Sequence, residues 1–208
     1  MSRNRLIAII IGALGLIAAL VPTVNAAYAE RGRGRVEVLE FDVAEDMGRF
    51  VFDTDVAFED GLPKHGSSFI TQGYIYPAGT ISCEEGRCNG VITTRDASGA
   101  IVKVEPEFPD KVLGEWTCRG YFVGEGAHAK AGPMVITTQL YNFGQELGNR
   151  TLVLEGYELA DVGVAIERAI TGGTGEYRDA RGEAEQTMLG LNSSDGVSLR
   201  LKLEVRTN

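Results

Sequence analysis

The sequence has few of the residues on which several common kinds of active site depend. It holds two histidines, His65 and His128, and their spacing is not that of metal ligands. It contains no Gly-x-Ser-x-Gly pattern, and neither histidine has a recognisable nucleophile partner, so a hydrolase triad has no support. No stretch between the strand-like segments has the apolar period of a helix. We therefore predict an all-β protein without a metal site or a cofactor.

Basic residues are scarce relative to acidic ones. The chain has 20 Lys and Arg against 29 Asp and Glu, a net charge of −9. Loss of an N-terminal leader containing Arg3 and Arg5 would leave 18 basic residues and a net charge of −11. Nucleic-acid affinity depends mainly on cationic contacts to phosphate. This charge excludes nucleic acid, and anionic bilayers, as partners of the mature chain.

The first 29 residues are predicted to be a signal peptide. Arg3 and Arg5 precede the uncharged run Leu6–Val21, which Pro22 follows. A retained anchor helix is the alternative, but this run of 16 residues is shorter than the roughly 20 that a membrane span needs. No cysteine directly follows the run, which argues against a lipid anchor.

Two small-x-small patterns place cleavage after Ala26 or after Ala29. We expect an exported protein, secreted or periplasmic, that has no membrane segment after cleavage. Residues 30–35 are then a basic, glycine-rich, flexible lead, and residues 36–208 form a single domain of ordinary size.

The three cysteines make an odd count for an oxidising compartment. A disulfide between Cys83 and Cys88 would close the loop Glu84–Arg87, while Cys118 lies within an apolar strand and resembles a buried small residue. Two alternatives remain open. One is a bond from Cys83 or Cys88 to Cys118, and the other is a free Cys118 with a chemical role.

Strand-like segments follow one another along the domain. Val36–Val43 alternates as the first strand, and residues 44–68 form a long polar connection that includes a short strand at 49–52. Residues 96–110 form an exposed loop or a weakly bound edge. Eight or nine antiparallel strands of this kind must close on themselves or protect their edges. The other predicted strands are 69–76, 80–83, 89–94, 113–123, 134–143, 151–159, 164–170, 180–191 and 197–205.

A glycine-rich turn separates two of these strands. Gly172, Gly173 and Gly175 supply backbone angles that residues with a Cβ resist, and an alternating segment follows them. We predict a tight structural turn that fixes the register of the flanking strands. A phosphate-binding loop is excluded, because a third glycine and a following helix are missing.

The segment Ala169–Gly182 resembles the Gly-Gly-Thr-Gly…Ala-Arg-Gly signature of dirigent proteins and a similar run of allene oxide cyclases. Two further segments, Gln72–Thr80 and Gly114–Phe122, resemble exported bacterial proteins classed as allene oxide cyclase barrel-like. The resemblance spans roughly residues 35–206. It implies a closed eight-stranded antiparallel β-barrel, a hydrophobic small molecule as ligand, and a homotrimer formed through the outer face of the barrel.

Four side chains are predicted to line the lumen of that barrel. Glu155 and Tyr157 share one face of their strand, and Arg119 and Tyr121 share a face opposite to Cys118. In a closed lumen, a carboxylate beside a tyrosine or an arginine has a shifted pKa that suits proton transfer. The alternative is that these side chains point to solvent or pair across strands.

The resemblance also suggests one catalytic residue. Allene oxide cyclases carry on their first strand a Glu and, two residues later, an Asn that act on the epoxide. Glu37 stands nearest to that Glu, and Leu39 stands in place of the Asn. Dirigent proteins carry an Arg just after the glycine of the strand that resembles Leu152–Glu158, and Tyr157 stands there in this chain.

Two functions follow from these observations. The first is an exported barrel that holds a hydrophobic substrate in one folded conformation, as a cofactor-independent cyclase or isomerase or as a stereocontrol protein. The second is a non-catalytic secreted barrel whose outer face or loops bind a protein or a cell-envelope partner. In the second, the glycine turn serves stability alone.

Overall fold

The computed structural model describes residues 35–207. The predicted signal peptide, residues 1–29, and residues 30–34 of the predicted lead lie outside the described residues, and Arg35 begins the first strand. Within residues 35–207, no helix has the length and apolar character that a membrane crossing requires.

The described residues form twelve strands, eight of which close into a barrel. The strands are β1 (Arg35–Phe52), β2 (Ser68–Pro77), β3 (Cys83–Glu84), β4 (Arg87–Cys88), β5 (Val91–Arg95), β6 (Ile101–Pro106), β7 (Gly114–Phe122), β8 (Pro133–Phe143), β9 (Thr151–Leu159), β10 (Ala165–Gly173), β11 (Arg181–Leu191) and β12 (Val197–Thr207). Around the barrel the order is β1, β2, β7, β8, β9, β10, β11, β12 and back to β1. The prediction of an all-β, closed, eight-stranded antiparallel barrel is confirmed.

The inner face of the barrel follows the alternation of each strand. Side chains of one parity form a single apolar core that includes Phe41, Trp116, Leu154 and Leu203. We call the end where β1, β7 and β9 finish and β2 begins the upper end, and the opposite end the lower end. The core is more aromatic and aliphatic toward the lower end, where Phe41 packs edge-to-face on Tyr141 at 5.0 Å between ring centroids.

The first strand is longer than the sequence predicts. The predicted polar connection is wrong over residues 44–48, because β1 continues through them with a register shift between Asp46 and Val51. The short strand predicted at residues 49–52 is the end of β1. Both faces of β1 are buried over residues 41–46, so polar Asp42 and Glu45 interrupt the alternation that marks a strand. Arg200 compensates Asp42 with two hydrogen bonds, of 2.8 and 3.2 Å.

Two hairpins inserted between β2 and β7 cover part of the outer face. Strands β3 and β4 pair through the Cys83–Cys88 disulfide, which confirms that predicted bond. Strands β5 and β6 form a second hairpin, which is a separate two-stranded sheet. Over Ile101–Pro106 the predicted exposed loop is therefore wrong, and the alternative of a weakly bound edge is correct. Together the insert and the barrel bury a smaller cluster around Ala44, Tyr76 and Ile81. Cys118 is free and buried, so the alternative of a bond from Cys83 or Cys88 to Cys118 is wrong.

The glycine-rich turn connects the antiparallel neighbours β10 and β11, as predicted. Two of its three glycines have identifiable roles. Gly175 has φ +61°, and a Cβ on Gly173 would lie 2.2 Å from the carbonyl oxygen of Thr151. Gly172 needs neither a special angle nor space, so the prediction for that residue is wrong. The turn places the ring of Tyr177 in the lower end of the core.

Candidate functional site

A group of polar side chains lies on the inner face of the barrel, toward its upper end. Each has the parity of apolar core residues on its own strand, and each is at most 7 % exposed. We call this group the inner polar cluster; its members are Glu45, Thr71, Cys118, Thr137, Gln139, Glu158, Arg168 and Gln186. Buried polar groups are ordinarily hydrogen-bonded, so the partners of each member indicate what the cluster can do.

Glu158 is the centre of the cluster. Its Oε1 accepts a hydrogen bond from the Thr137 hydroxyl at 2.6 Å, and its Oε2 accepts one from Gln186 Nε2 at 3.2 Å. The Cys118 thiol lies 3.5 Å from the same Oε1. Arg168 Nη1 lies 3.6 Å from Oε1 and supplies the compensating positive charge. The carboxylate is therefore held in one position from four sides.

Arg168 crosses the inner face with its side chain 0 % exposed. Nη1 donates to the carbonyl oxygen of Tyr157 at 2.8 Å, and Nη2 donates to the hydroxyl of Thr137 at 2.7 Å. Its Nε has no hydrogen-bond partner among residues 35–207. The guanidinium is thus anchored at its two ends and keeps one free donor.

Two glutamines each leave one polar atom unpartnered. Gln139 accepts a short hydrogen bond from the Tyr141 hydroxyl, but its Nε2 lacks an acceptor in the described part of the chain. The Oε1 of Gln186 likewise has no donor there. Trp116 Nε1 faces the Tyr141 hydroxyl and the Thr71 hydroxyl faces Glu45, but neither contact reaches hydrogen-bond geometry. Unpartnered donors therefore gather on this part of the inner face.

Glu45 is the second carboxyl group of the cluster. Burial is the main reason why the pKa of Glu45 rises from 4.5 to about 7, and the charge of Glu158 adds to the rise. The amide of Val197 donates to Glu45 Oε2 at 2.8 Å, while Asn192 Nδ2 donates to the Glu45 carbonyl at 2.8 Å. Near neutral pH, a rigidly held acid of this kind is present in both protonation states.

Cys118 and Tyr141 do not change their protonation state near neutral pH as Glu45 does. Burial raises the pKa of the Cys118 thiol well above its usual range, and Glu158 raises it further. Burial also raises the pKa of the Tyr141 hydroxyl. Both side chains stay protonated at neutral pH, so a thiolate nucleophile at Cys118 is disfavoured.

Aromatic rings lie above the cluster, at the upper end of the barrel. Phe69 and Phe122 have the inner-face parity and lie 5.2 Å apart, measured between ring centroids. Phe50 stacks on Phe69 at 5.8 Å and neighbours Phe52 at 5.9 Å. We call these four residues the upper aromatic cluster. They make the upper end of the barrel apolar.

The four predicted lumen residues lie on the outer face instead. Tyr121 is 57 % exposed and Tyr157 is 48 % exposed, and Arg119 and Glu155 are exposed as well. The apolar partners of opposite parity, such as Trp116 on β7 and Leu154 on β9, fill the interior in their place. The lumen prediction for Arg119, Tyr121, Glu155 and Tyr157 is therefore wrong, and the alternative that they face outward is correct.

Three of these residues meet again in a groove on the outer face. Arg119, Tyr121 and Glu155 line a cavity of about 890 Å³ that also touches the end of β1 and the start of β2. Exposed Ile70 and Ile136 add apolar surface to it. We call this cavity the outer groove.

Glu37 lies on the inner-face parity of β1, shared with Leu39, Phe41 and Val43, but at the lower end. Its charge acts on the hydroxyl of Tyr177, whose pKa is raised chiefly by burial. It lies far along the strand from Glu45, so the structure does not bring it together with the inner polar cluster. Its catalytic role stays a prediction.

Among the members of the inner polar cluster, the sequence pointed to Cys118 alone. One signal was present: Glu158 continues the parity of Leu152 and Leu154, and Arg168 that of Ile170. A charged residue on the apolar face of an alternating strand predicts a buried charge with a partner. No cluster of three or more metal-ligating side chains occurs in the described residues.

No protein-family model matches the sequence, and no curated protein matches it. Solved structures do. The pterocarpan synthase dirigent protein PsPTS1 is 16% identical, with 83% of this chain and 95% of that chain covered, at a TM-score of 0.55. The pterocarpan synthase dirigent protein GePTS1 is 15% identical, with 83% and 90% covered, at a TM-score of 0.52. At this identity the likeness concerns the fold, and this chain has the barrel fold of dirigent proteins.

Proposed function

We propose that this protein is an exported barrel that binds a small, largely apolar molecule at the inner polar cluster. It acts there as a cofactor-independent cyclase or isomerase, or as a protein that controls the stereochemistry of a reaction. One observation carries the proposal: Gln139 Nε2, Arg168 Nε and Gln186 Oε1 are buried in the interior without partners among residues 35–207.

The energetic cost of those atoms supports a binding role. A buried donor or acceptor without a partner costs about 1–3 kcal/mol, and folded proteins satisfy nearly all such groups. An eight-stranded barrel has room for packed side chains or for one small ligand. A ligand with one or two oxygen atoms would satisfy these groups, while its apolar body would contact Trp116 and the upper aromatic cluster.

The compartment is the second part of the proposal. The Cys83–Cys88 disulfide persists in oxidising environments, which supports export. The leader predicted from the sequence would direct it. Mass spectrometry of the protein secreted by its host should show a mature N-terminus at Ala27 or Glu30, and an uncleaved N-terminus would contradict export by this route.

Trp116 offers a direct test of binding, because it is the one tryptophan of the chain and lies in the core. We expect β-naphthol, coumarin or naphthalene to change its emission in a saturable way. Amide chemical shifts should then move on the inner-face strands. The matched pair Gln139→Leu and Leu140→Gln separates the two faces of β8, because Leu140 faces outward. The first substitution should weaken binding of an oxygen-bearing probe, and the second should not.

A panel of such probes that leaves both Trp116 emission and the inner-face shifts unchanged would contradict the proposed function. Shifts confined to the exposed residues of the outer groove, Ile70, Tyr121 and Ile136, would contradict the location. A probe bound outside the barrel would leave Trp116 emission unchanged. Emission and amide shifts together therefore distinguish a lack of binding from binding at the outer face.

The outer groove supports a second candidate function, self-association. Its exposed apolar residues lie beside charges of both signs, Arg119 and Glu155, so one copy offers complementary groups to another. The family resemblance implies a homotrimer through this outer face. A second copy of this chain is therefore the partner that we propose for the groove, as a non-catalytic role beside the inner site.

A further inference from the structure

The inner polar cluster has an excess of unpartnered hydrogen-bond donors. Gln139 Nε2 and Arg168 Nε are N–H donors without acceptors among the described residues. The Gln186 amide oxygen is an unpartnered acceptor, and the unpartnered Thr71 hydroxyl can donate or accept. An interior of this kind favours a ligand atom that only accepts. A carbonyl oxygen or an oxyanion is such an atom, and an arginine donor strengthens the bond as negative charge develops.

Glu45 faces the same region. Its charge and that of Glu158 raise each other's cost, and both raise the pKa of the Cys118 thiol, which lies directly opposite Gln139 in the β7–β8 pairing. Arg168 reaches Glu158 from the other side. Unlike Glu158, Glu45 has no ion-pair partner within residues 35–207. The inner polar cluster thus holds one carboxyl group without an ion pair and two free donors.

We propose that the inner polar cluster binds a carbonyl compound, and that Glu45 is a catalytic residue that moves a proton at the carbon next to the carbonyl. This inference rests on the proposed function and names its substrate class and reaction. The carboxylate of Glu45 takes the α-proton, so the C–H bond breaks. Its electron pair forms the carbon–carbon double bond of an enolate, whose oxygen carries the negative charge.

The remaining steps return the system to its starting state. Gln139 Nε2 and Arg168 Nε donate hydrogen bonds to the enolate oxygen, as an oxyanion hole does. Protonated Glu45 then gives a proton back to the same carbon, or to the far carbon of a conjugated system. The second outcome shifts a double bond and yields an isomer. The pKa of Glu45, about 7, allows it to take and to return a proton near neutral pH.

Two probes with the same carbon skeleton test the substrate class. β-Tetralone has a carbonyl oxygen and acidic α-protons, and tetralin has neither. We expect β-tetralone to bind at least about tenfold more tightly than tetralin, measured by Trp116 emission, since a hydrogen bond to a charged donor contributes about 1.5–3 kcal/mol. Equal affinities would overturn this inference and leave the proposed binding function intact. If neither probe binds, the inference is also wrong, and the broader panel decides the proposed function.

The reaction is tested by hydrogen–deuterium exchange of β-tetralone in deuterium oxide, followed by nuclear magnetic resonance. The protein should accelerate exchange above the buffer rate, with a pH profile whose midpoint lies near 7. Glu45→Gln should reduce the protein-dependent rate by about a hundredfold or more and leave the affinity for β-tetralone within about threefold. Glutamine keeps the acceptor for the Val197 amide, so the fold should persist.

Glu167→Gln is the matched control, because Glu167 lies next to Arg168 in sequence but is exposed on the outer face. It should leave exchange unchanged. An undiminished rate in Glu45→Gln, or an equal loss in both variants, would overturn the role of Glu45. Gln139→Leu gives a second measurement that is independent of Glu45: it should weaken β-tetralone binding and leave tetralin binding unchanged.

Discussion

The upper and lower halves of the barrel interior are built from different chemistry. In the lower half, Phe41, Tyr141, Leu152 and Leu203 pack on one another and on Tyr177, which the glycine-rich turn delivers. These contacts gain from burial in proportion to their apolar area. In the upper half, the inner polar cluster replaces such contacts with a buried ion pair, a second carboxyl group and amides whose hydrogen bonds are incomplete.

The difference separates stability from function. Well-packed apolar residues in place of a buried ion pair are often neutral or stabilising by about 1–4 kcal/mol, and each unpartnered buried polar atom adds a further cost. The packing of the lower half therefore raises the free energy of unfolding, and the buried polar groups of the upper half lower it. Groups that break a local folding rule in this way are expected at sites of binding or reaction.

The largest expected effect comes from breaking the buried pair on one side only. Arg168→Met should lower the free energy of unfolding by about 3–5 kcal/mol at neutral pH, because Glu158 would keep its charge without a compensating partner. Urea unfolding followed by Trp116 emission measures this. A loss below about 1 kcal/mol would show that Glu158 does not depend on Arg168.

The double variant Arg168→Met with Glu158→Leu is the control for that prediction. It removes both charges, so it should recover most of the lost stability while binding of β-tetralone is lost. Leu203→Ala in the lower half should show the reverse: a loss of about 2–5 kcal/mol, with the affinity per folded molecule unchanged. If the double variant stays as unstable as the single one, the two halves do not differ as described.

Most of the fold was predictable from the sequence, and the reason is periodicity. Strands β9 and β12 have one clean apolar face, so their starts at Thr151 and Val197 agree with prediction. The prediction failed at β1, where both faces are buried and Asp42 is neutralised by Arg200, a residue remote in sequence. A pattern of alternation cannot report a partner that only the closed barrel supplies.

The next effect in size is a dependence of stability on pH that belongs to Glu45. Its pKa is about 7 in the folded protein and near 4.5 in the unfolded chain. Below pH 4.5 both states are protonated and the full stability is present. Above that value the unfolded chain loses its proton first, so stability falls as pH rises and levels off above about 7. The expected total is about 3 kcal/mol, from roughly 1.4 kcal/mol for each unit of pKa difference.

Glu45→Gln should flatten this slope between pH 4.5 and 7, and Glu167→Gln should leave it as it is. Urea midpoints at half-unit pH intervals measure the difference. A wild-type protein whose stability rises with pH over this window would contradict a buried, protonated Glu45. A carbonyl ligand that binds more tightly when Glu45 is ionised should lower the apparent pKa of Glu45 in the folded protein, and with it the pH at which half of the change in stability has occurred.

The candidate site was much less predictable than the fold. Arg119 and Glu155 were expected to line the lumen, yet an alternating strand gives two faces and the sequence alone does not say which polar residue turns inward. The large side chains of Trp116 and Leu154 determine which face of β7 and β9 turns inward, because they fill the interior of the barrel. Glu158 and Arg168 then enter with them, because each has the parity of its strand's apolar residues on the neighbouring strands β9 and β10.

The smallest effect on stability is expected on the outer face. Tyr121 and Ile136 are exposed cross-strand neighbours in the outer groove, so Tyr121→Ser with Ile136→Ser should change the free energy of unfolding by about 0.5 kcal/mol or less. If the groove holds a second copy of the chain, sedimentation at micromolar concentration should show a trimer for the native protein and a monomer for this variant. Probe binding at Trp116 should be the same in both, since the inner face is untouched. A native protein that sediments as a monomer would contradict self-association and leave the inner site as the one function to test.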